Sequence, residues 1–255
     1  MSTDIICEVR DRVLHIEFNR PKKKNALTVA MYGAMSDALE SADKDDNVRV
    51  AVFRGTDGCF TSGNDIGDFM KARGAGDLET TARFLQVLAG FSKPVVAQVD
   101  GVAIGIGTTL LLHCDLVYAT ERARLKMPFV DLGVVPEFAS SLLLPRLLGY
   151  QRTCELLLLG EELSGPRAHD LGLVNEVVAV DKLDSHVAAK IERLVTRAPG
   201  ALRATKALLK APVADGVKDA LVREGKIFGE RIAGPEAVEA FTAFMQRRPA
   251  DFSKF

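Results

Sequence analysis

Apolar side chains alternate with polar ones from Val13 to Phe18, the two-residue period of a strand with one buried face. With the residues before it, "ICEVRDRVLHIEF" predicts two short strands joined by a turn at Asp11-Arg12. "RPKKKN" breaks the pattern. Thr28 then caps a predicted helix whose apolar residues include Met31, Met35 and Leu39. "NVRVAVFRG" is the next strand, followed by the glycine-punctuated loop "TDGCFTSGNDIGDF". A helical stretch around Leu78 to Leu88 leads to "KPVVAQVDG", whose unbroken apolar run predicts a strand covered on both faces. "GVAIGIGTTLLLHCD" opens in small residues and turns helical, and "LVYAT" and "ARLKM" predict two further strands. From about Ser140 the pattern is helical apart from a short strand at "LVNEVV".

This alternation of strands and helices predicts an α/β architecture. A body over residues 1–197 precedes a region, 198–255, of Gly/Pro-punctuated amphipathic helices suited to oligomerisation or to a lid. At 255 residues the chain is long enough to bury a sizeable core. Its formal net charge of −1 carries no electrostatic footprint for nucleic acid or an anionic membrane. No apolar run approaches the ~20 residues that span a bilayer. Cys7, Cys59, Cys114 and Cys154 form no C-x-x-C pair, and His15, His113, His169 and His186 show no ligand spacing, so no metal site and no disulfide framework is expected. The stretch "MSTDIICEVRDR" lacks the basic-then-apolar order of a signal peptide, and the closing "SKF" has Phe255 where a peroxisomal address carries leucine. The expected compartment is the cytoplasm.

Candidate chemistry begins with glycine. "TSGND" and "GVAIGIG" each follow a predicted strand, where a glycine-rich turn exposes backbone N–H groups suited to an oxyanion. Neither is the dinucleotide fingerprint, because "GIGTTL" lacks the third glycine and no ribose-binding acid follows at the right distance. "RPKKKNAL" is read either as a solvated basic loop or as a contact for ligand phosphates. Glu137 follows Pro136 directly and stands at the mouth of the apolar helix in "VVPEFASSLLLPRLLG". It is either a first-turn acid favoured by the helix dipole, worth ~0.3–1 kcal/mol, or the single base of an active site.

"FNRPKKKNALT", "FTSGNDI" and "GVAIGIGTTLLLHCDLVYAT", in that order, resemble the enoyl-CoA hydratase/isomerase (crotonase) superfamily. "LGLVNEVV" and "AFMQRRPADF" extend the resemblance over nearly the whole chain. It implies a crotonase-like spiral of ββα units with a C-terminal helical region that builds trimers or hexamers. It also implies an acyl-CoA substrate, with no separate cofactor, whose thioester oxygen sits between two backbone N–H groups. Matched residue by residue, those donors are Asn64 and Ile106. Lys22, Lys24, Ala26, Ser62 and Asp65 match positions around the CoA nucleotide, and Phe244 and Arg247 match tail positions that reach it.

The hydratases of the superfamily carry two glutamates that activate water. At those positions this chain has Thr109 and Phe129, neither of which is a base. "MPFVDLGVVPEFASS" is instead similar to the peroxisomal-type Δ3,Δ2-enoyl-CoA isomerases, whose catalytic glutamate stands in the same Pro-Glu step as Glu137. The resemblance therefore implies an isomerase in fatty-acid or related acyl-CoA breakdown, with Glu137 as base and Asp131 next in line. The alternatives are a hydratase or other lyase of the superfamily and, more remotely, a non-catalytic CoA-binding scaffold. Asp65 is expected to fix its loop, and Thr108 and Thr109 to be helix-start hydroxyls.

Overall fold

The computed structural model describes residues 4–71 and 75–255. Residues 1–3, the start of the N-terminal stretch read above, lie outside them. Strands β1 (Ile5–Arg10) and β2 (Val13–Phe18) form the expected antiparallel hairpin. Asp11 and Arg12 both take positive φ, the twist that tight hairpin turns favour. The remaining strands are β3 (Val50–Gly55), β4 (Val95–Val99), β5 (Val102–Ile104), β6 (Leu116–Thr120), β7 (Arg124–Lys126), β8 (Leu163–Ser164) and β9 (Glu176–Val178). Six of them make one sheet in the order β1-β2-β3-β4-β6-β9, parallel everywhere except in the hairpin. Strands β5, β7 and β8 make a second, smaller sheet in the order β5-β7-β8. Its edge strand β8, two residues long and antiparallel to β7, falls where the sequence predicts helix alone.

The helices are α1 (Val29–Lys44), α2 (Ile66–Lys71), α3 (Ala75–Gly90), α4 (Ile106–Thr109), α5 (Ser140–Leu148), α6 (Tyr150–Leu158), α7 (Gly165–Asp170), α8 (Leu183–Val195), α9 (Pro199–Lys210), α10 (Ala214–Ile232) and α11 (Pro235–Met245). The hydroxyl of Thr28 accepts the Met31 N–H and caps α1, whose Met31, Met35 and Leu39 are fully buried. The two-residue period of the strands sorts the core. Ala51 and Phe53 of β3 join the large cluster with Leu14, Ile16, Phe18 and the apolar faces of α1 and α3. Val50 and Val52 face the other way, onto Leu183 and Val187 of α8. Both sheet faces are therefore covered, as the unbroken apolar run of β4 predicts.

Helices α10 and α11 lie over the end of the sheet at which the glycine loops emerge, α10 against α3 and α5 and α11 against the turn Val130–Leu132. Leu208, Leu209, Val222 and Met245 of this C-terminal region are exposed. No described helix is long and apolar enough to cross a membrane.

Candidate active site

Three loops meet beyond the strand ends, and backbone hydrogen bonds tie them into one body. The Ser62 N–H donates to Lys24 O, Leu27 N–H to Gly63 O and Asp65 N–H to Leu27 O, joining the lysine-rich loop to "SGND". Thr61 and the strand β5 exchange two bonds, Thr61 N–H to Val102 O and Ile104 N–H to Thr61 O, joining "SGND" to "GIG". Asn25, fully buried, holds the lysine-rich loop from beneath by donating to Thr56 O and Cys59 O. Lys24 and Asn25 both adopt positive φ there, so this basic run is a fixed turn.

The loops approach as closely as glycine allows. A Cβ on Gly63, whose φ is +86°, would lie 2.8 Å from Ile104 O, and one on Gly107 would lie 2.6 Å from Thr61 Cγ2. This packing brings the Asn64 and Ile106 backbones to one wall, and neither N–H has an acceptor among the described residues. Ile106 opens α4, so the helix dipole adds to the attraction for negative charge.

Glu137 shares that wall. It does not sit in the first turn of a helix, because α5 begins only at Ser140. Phe138 and Ala139 intervene with φ of 60° and 57°, two consecutive left-handed residues that together cost a few kcal/mol. The acid at the N-terminus of α5 is instead Glu224 of α10, which accepts the N–H groups of Ala139 (2.6 Å) and Ser141 (3.0 Å) and the Ser141 hydroxyl. Glu137 thus stands outside the helix dipole's best position, and its carboxyl accepts the Thr109 hydroxyl at 2.5 Å. The residue keeps partial exposure along the cavity, yet protein encloses the carboxyl itself. Its desolvation pushes the pKa up to about 8; the Thr109 bond opposes this and the nearby Glu224 charge adds to it.

A cavity of about 850 Å³ connects these parts. Of the residues singled out in the sequence, Lys24, Ala26, Ser62, Asn64, Asp65, Ile106, Glu137 and Phe244 line it. Lys22 and Arg247 are not on the described wall, which has their neighbours Lys23 and Arg248 instead. Asp65 is also structural, pairing with Arg20 at 3.1 Å and accepting the Asp68 N–H at the start of α2. Asp131 is exposed at the rim and pairs with Lys126 at 3.2 Å. Phe129, 5% exposed, packs into the wall. Thr108 is occupied by Ala103 O at 2.5 Å, whereas Thr109 reaches Glu137 and so acts beyond a helix-start role. A second cavity of about 360 Å³ shares Asn64, Glu137 and Phe228 with the first and runs between α3 and α10, past Leu85, Phe138 and Leu221.

Sequence reasoning missed Tyr32, Glu224 and the role of His113. Tyr32 is a core position by its helical spacing. Its hydroxyl donates to Asn64 Oδ1 at 2.5 Å, and burial, with Glu137 nearby, holds its pKa well above the usual value. His113 stacks on Phe138 with centroids 3.8 Å apart and donates from Nε2 to Phe138 O at 2.8 Å. Burial lowers its pKa to about 3, so the ring is neutral. No group of His, Cys, Asp and Glu among the described residues is arranged to hold a metal.

Comparison with known proteins identifies the family and the fold. The enoyl-CoA hydratase/isomerase family matches residues 8–254. The chain is 33% identical, over 97% of its length, to enoyl-CoA delta isomerase 2 of Rattus norvegicus, and spans 65% of that relative. It is 31% identical to the 2,3-dehydroadipyl-CoA hydratase of Escherichia coli (strain K12), over 98% of both chains. The structure of Pseudomonas aeruginosa OdaA matches 96% of this chain and 100% of its own, with a TM-score of 0.93 and 46% identity. The crotonase-like fold expected from the motifs is the fold of the chain.

Proposed function

The chain belongs to the enoyl-CoA hydratase/isomerase family, and we propose that it is an isomerase moving the double bond of a 3-enoyl-CoA thioester to the 2-position. One observation carries the reading. Of the three acids on the larger cavity's described wall, Asp65 and Asp131 are ion-paired, whereas Glu137 has no cationic partner among the described residues. A carboxylate so desolvated is a stronger base than one in water.

In this mechanism the thioester oxygen lies between the Asn64 and Ile106 N–H groups. Glu137 removes a proton from C2, the C2–H electron pair delocalises into the thioester, and the two donors stabilise the resulting dienolate oxygen. The protonated Glu137 then returns the proton at C4, leaving the double bond between C2 and C3 and the carboxylate regenerated. No external acid is needed. Lys23 and Lys24 supply positive charge at the cavity mouth for the CoA phosphates, while Arg248 there is paired with Glu239, and the smaller cavity takes the acyl chain. Hydration would call for a second carboxylate to hold water. Thr109 is instead engaged with Glu137, and Phe129 fills the other position with an aromatic ring.

Thr109 sets the pH range of the proposed base. Its hydroxyl favours the charged carboxylate, so Thr109→Val should raise the Glu137 pKa above about 8. The acid limb of turnover should move to higher pH, with a loss of roughly tenfold per pKa unit well below it. A pH–rate profile checks this; an unmoved limb counts against the assigned contact.

The function itself is tested with the wild-type chain and matched 3-enoyl- and 2-enoyl-CoA esters. Isomerisation of the 3-enoyl ester should far exceed hydration of the 2-enoyl ester. The reverse order would sink the isomerase reading in favour of a hydratase.

A further inference from the structure

The first turn of a helix leaves backbone N–H groups without internal partners. Helix α5 begins after Ala139, whose methyl side chain accepts nothing, so the acceptor has to come from elsewhere. Glu224 provides it from α10, 85 residues further along the chain. Its two oxygens receive three donors, the N–H groups of Ala139 and Ser141 and the Ser141 hydroxyl. Only 5% of the residue is exposed, a costly place for a carboxylate that merely caps a helix. What it grips is the left-handed pair Phe138-Ala139, the link between Glu137 and α5. On the other side His113 stacks on Phe138 and holds its carbonyl.

We infer that Glu224 is a positioning residue for Glu137: from the C-terminal helical region it clamps the turn that aims the base into the cavity, and it places a second negative charge beside it. This rests on the proposed role of Glu137 as base. The clamp makes the base's aim depend on the docking of α10, which also supplies Phe228 to both cavities.

The groups packed around Glu137 narrow the source of the electrostatic effect. Tyr32 of α1 stays un-ionised in its buried site, and His113 stays neutral across the neutral range. Thr109 of α4 bonds without charge, and Glu79 of α3 lines the smaller cavity. Desolvation raises the Glu137 pKa most, and Glu224 is the neighbouring charge that adds to it. Burial also raises the pKa of Glu224, against its bonds from Ser141 and Ala139 and the Arg223 charge.

Glu224→Gln keeps the shape, removes the charge, and turns an amide NH₂ towards a backbone N–H of Ala139 or Ser141, which can only donate. The Glu137 carboxyl is followed without substrate by carbon-13 NMR of glutamate-labelled protein, assigned by its loss in Glu137→Gln. Its titration midpoint should fall from about 8 in the wild type to a lower value in Glu224→Gln. Compared above both midpoints, where the base is ionised in each protein, turnover should drop roughly tenfold or more, as expected of a misaimed base, with KM for the acyl-CoA ester within about twofold. Glu224→Asp keeps the charge but falls a methylene short, so the midpoint should stay while turnover falls. An unmoved midpoint in folded Glu224→Gln overturns the inference. If that variant does not fold, wild-type turnover in Glu224→Asp overturns it instead. Full turnover in Glu137→Gln would remove the proposed function and leave the substrate-free titration as a separate result.

Discussion

Glu137→Gln should abolish isomerisation while leaving the protein folded and able to bind acyl-CoA. Glutamine keeps the side-chain shape and still accepts the Thr109 hydroxyl, whereas it has no site for the C2 proton. General-base contributions are typically ~100- to 10,000-fold, and loss of a sole base belongs at or beyond the upper end. The nearby acids offer no replacement: Asp131 is held by Lys126 at the rim and Asp65 by Arg20. Stability should move the opposite way. The folded pKa of Glu137 is raised from 4.5 to about 8, so the folded chain resists ionising it. The favourable contribution of the protonated form is full below the unfolded value and lost as pH rises through about 8. Glutamine carries no such loss, and above that pH the variant should withstand denaturant at least as well as the wild type. Denaturation curves at pH 6 and 9, beside turnover of a 3-enoyl-CoA ester, check both halves. Full turnover in the folded variant would place the base elsewhere.

A side chain that weakens the fold in order to work is also the hardest kind to recognise from a linear pattern. The hairpin β1-β2 follows from a period of two, and the Thr28 cap from a hydroxyl ahead of 3.6-residue spacing, so they were legible. The sorting of Val50 and Val52 from Ala51 and Phe53 is fixed only by what packs on each face of an all-apolar run. The two-residue strand β8 is too short to show any period, and only its pairing with β7 defines it. The two glycine loops were legible as places of close backbone approach, whereas Asn64 and Ile106 were singled out as donors only by the resemblance to the superfamily. The setting of Glu137 was not legible. A Pro-Glu step before a leucine run reads as a helix start. The left-handed Phe138 and Ala139 that delay the helix carry no such mark, because neither is glycine, asparagine or aspartate. Their conformation is imposed by Glu224 and His113, groups distant in the chain. Tyr32 was legible as a buried position, but its hydroxyl's reach to Asn64 depends on how α1 packs under the loop.

Gly63→Ala should cost about 100- to 1,000-fold in turnover, the effect typical of losing one oxyanion-hole donor. Gly63 is wedged between two loops: its carbonyl accepts the Leu27 N–H at 2.8 Å, and its Cα faces Ile104 O. An added Cβ would stand 2.8 Å from that oxygen, at a φ of +86° that L side chains rarely adopt. Neither neighbour yields easily, because Ile104 is tied to Thr61 on one side and Gly105 to Lys126 on the other. The strain is relieved by moving the "SGND" backbone away from "GIG", which separates the Asn64 and Ile106 N–H groups. A dienolate oxygen would then reach one donor well and the other poorly. Substrate binding draws on the whole cavity and should weaken far less than turnover, giving a fall in kcat with KM nearly kept. Gly90→Ala is the matching control, since a Cβ there meets nothing within 4 Å. Circular dichroism and thermal melts establish that both variants are folded before kinetics are compared. Wild-type kcat in a folded Gly63→Ala protein would remove the paired N–H groups from the mechanism, and with them the reason the two glycine loops converge beside Glu137.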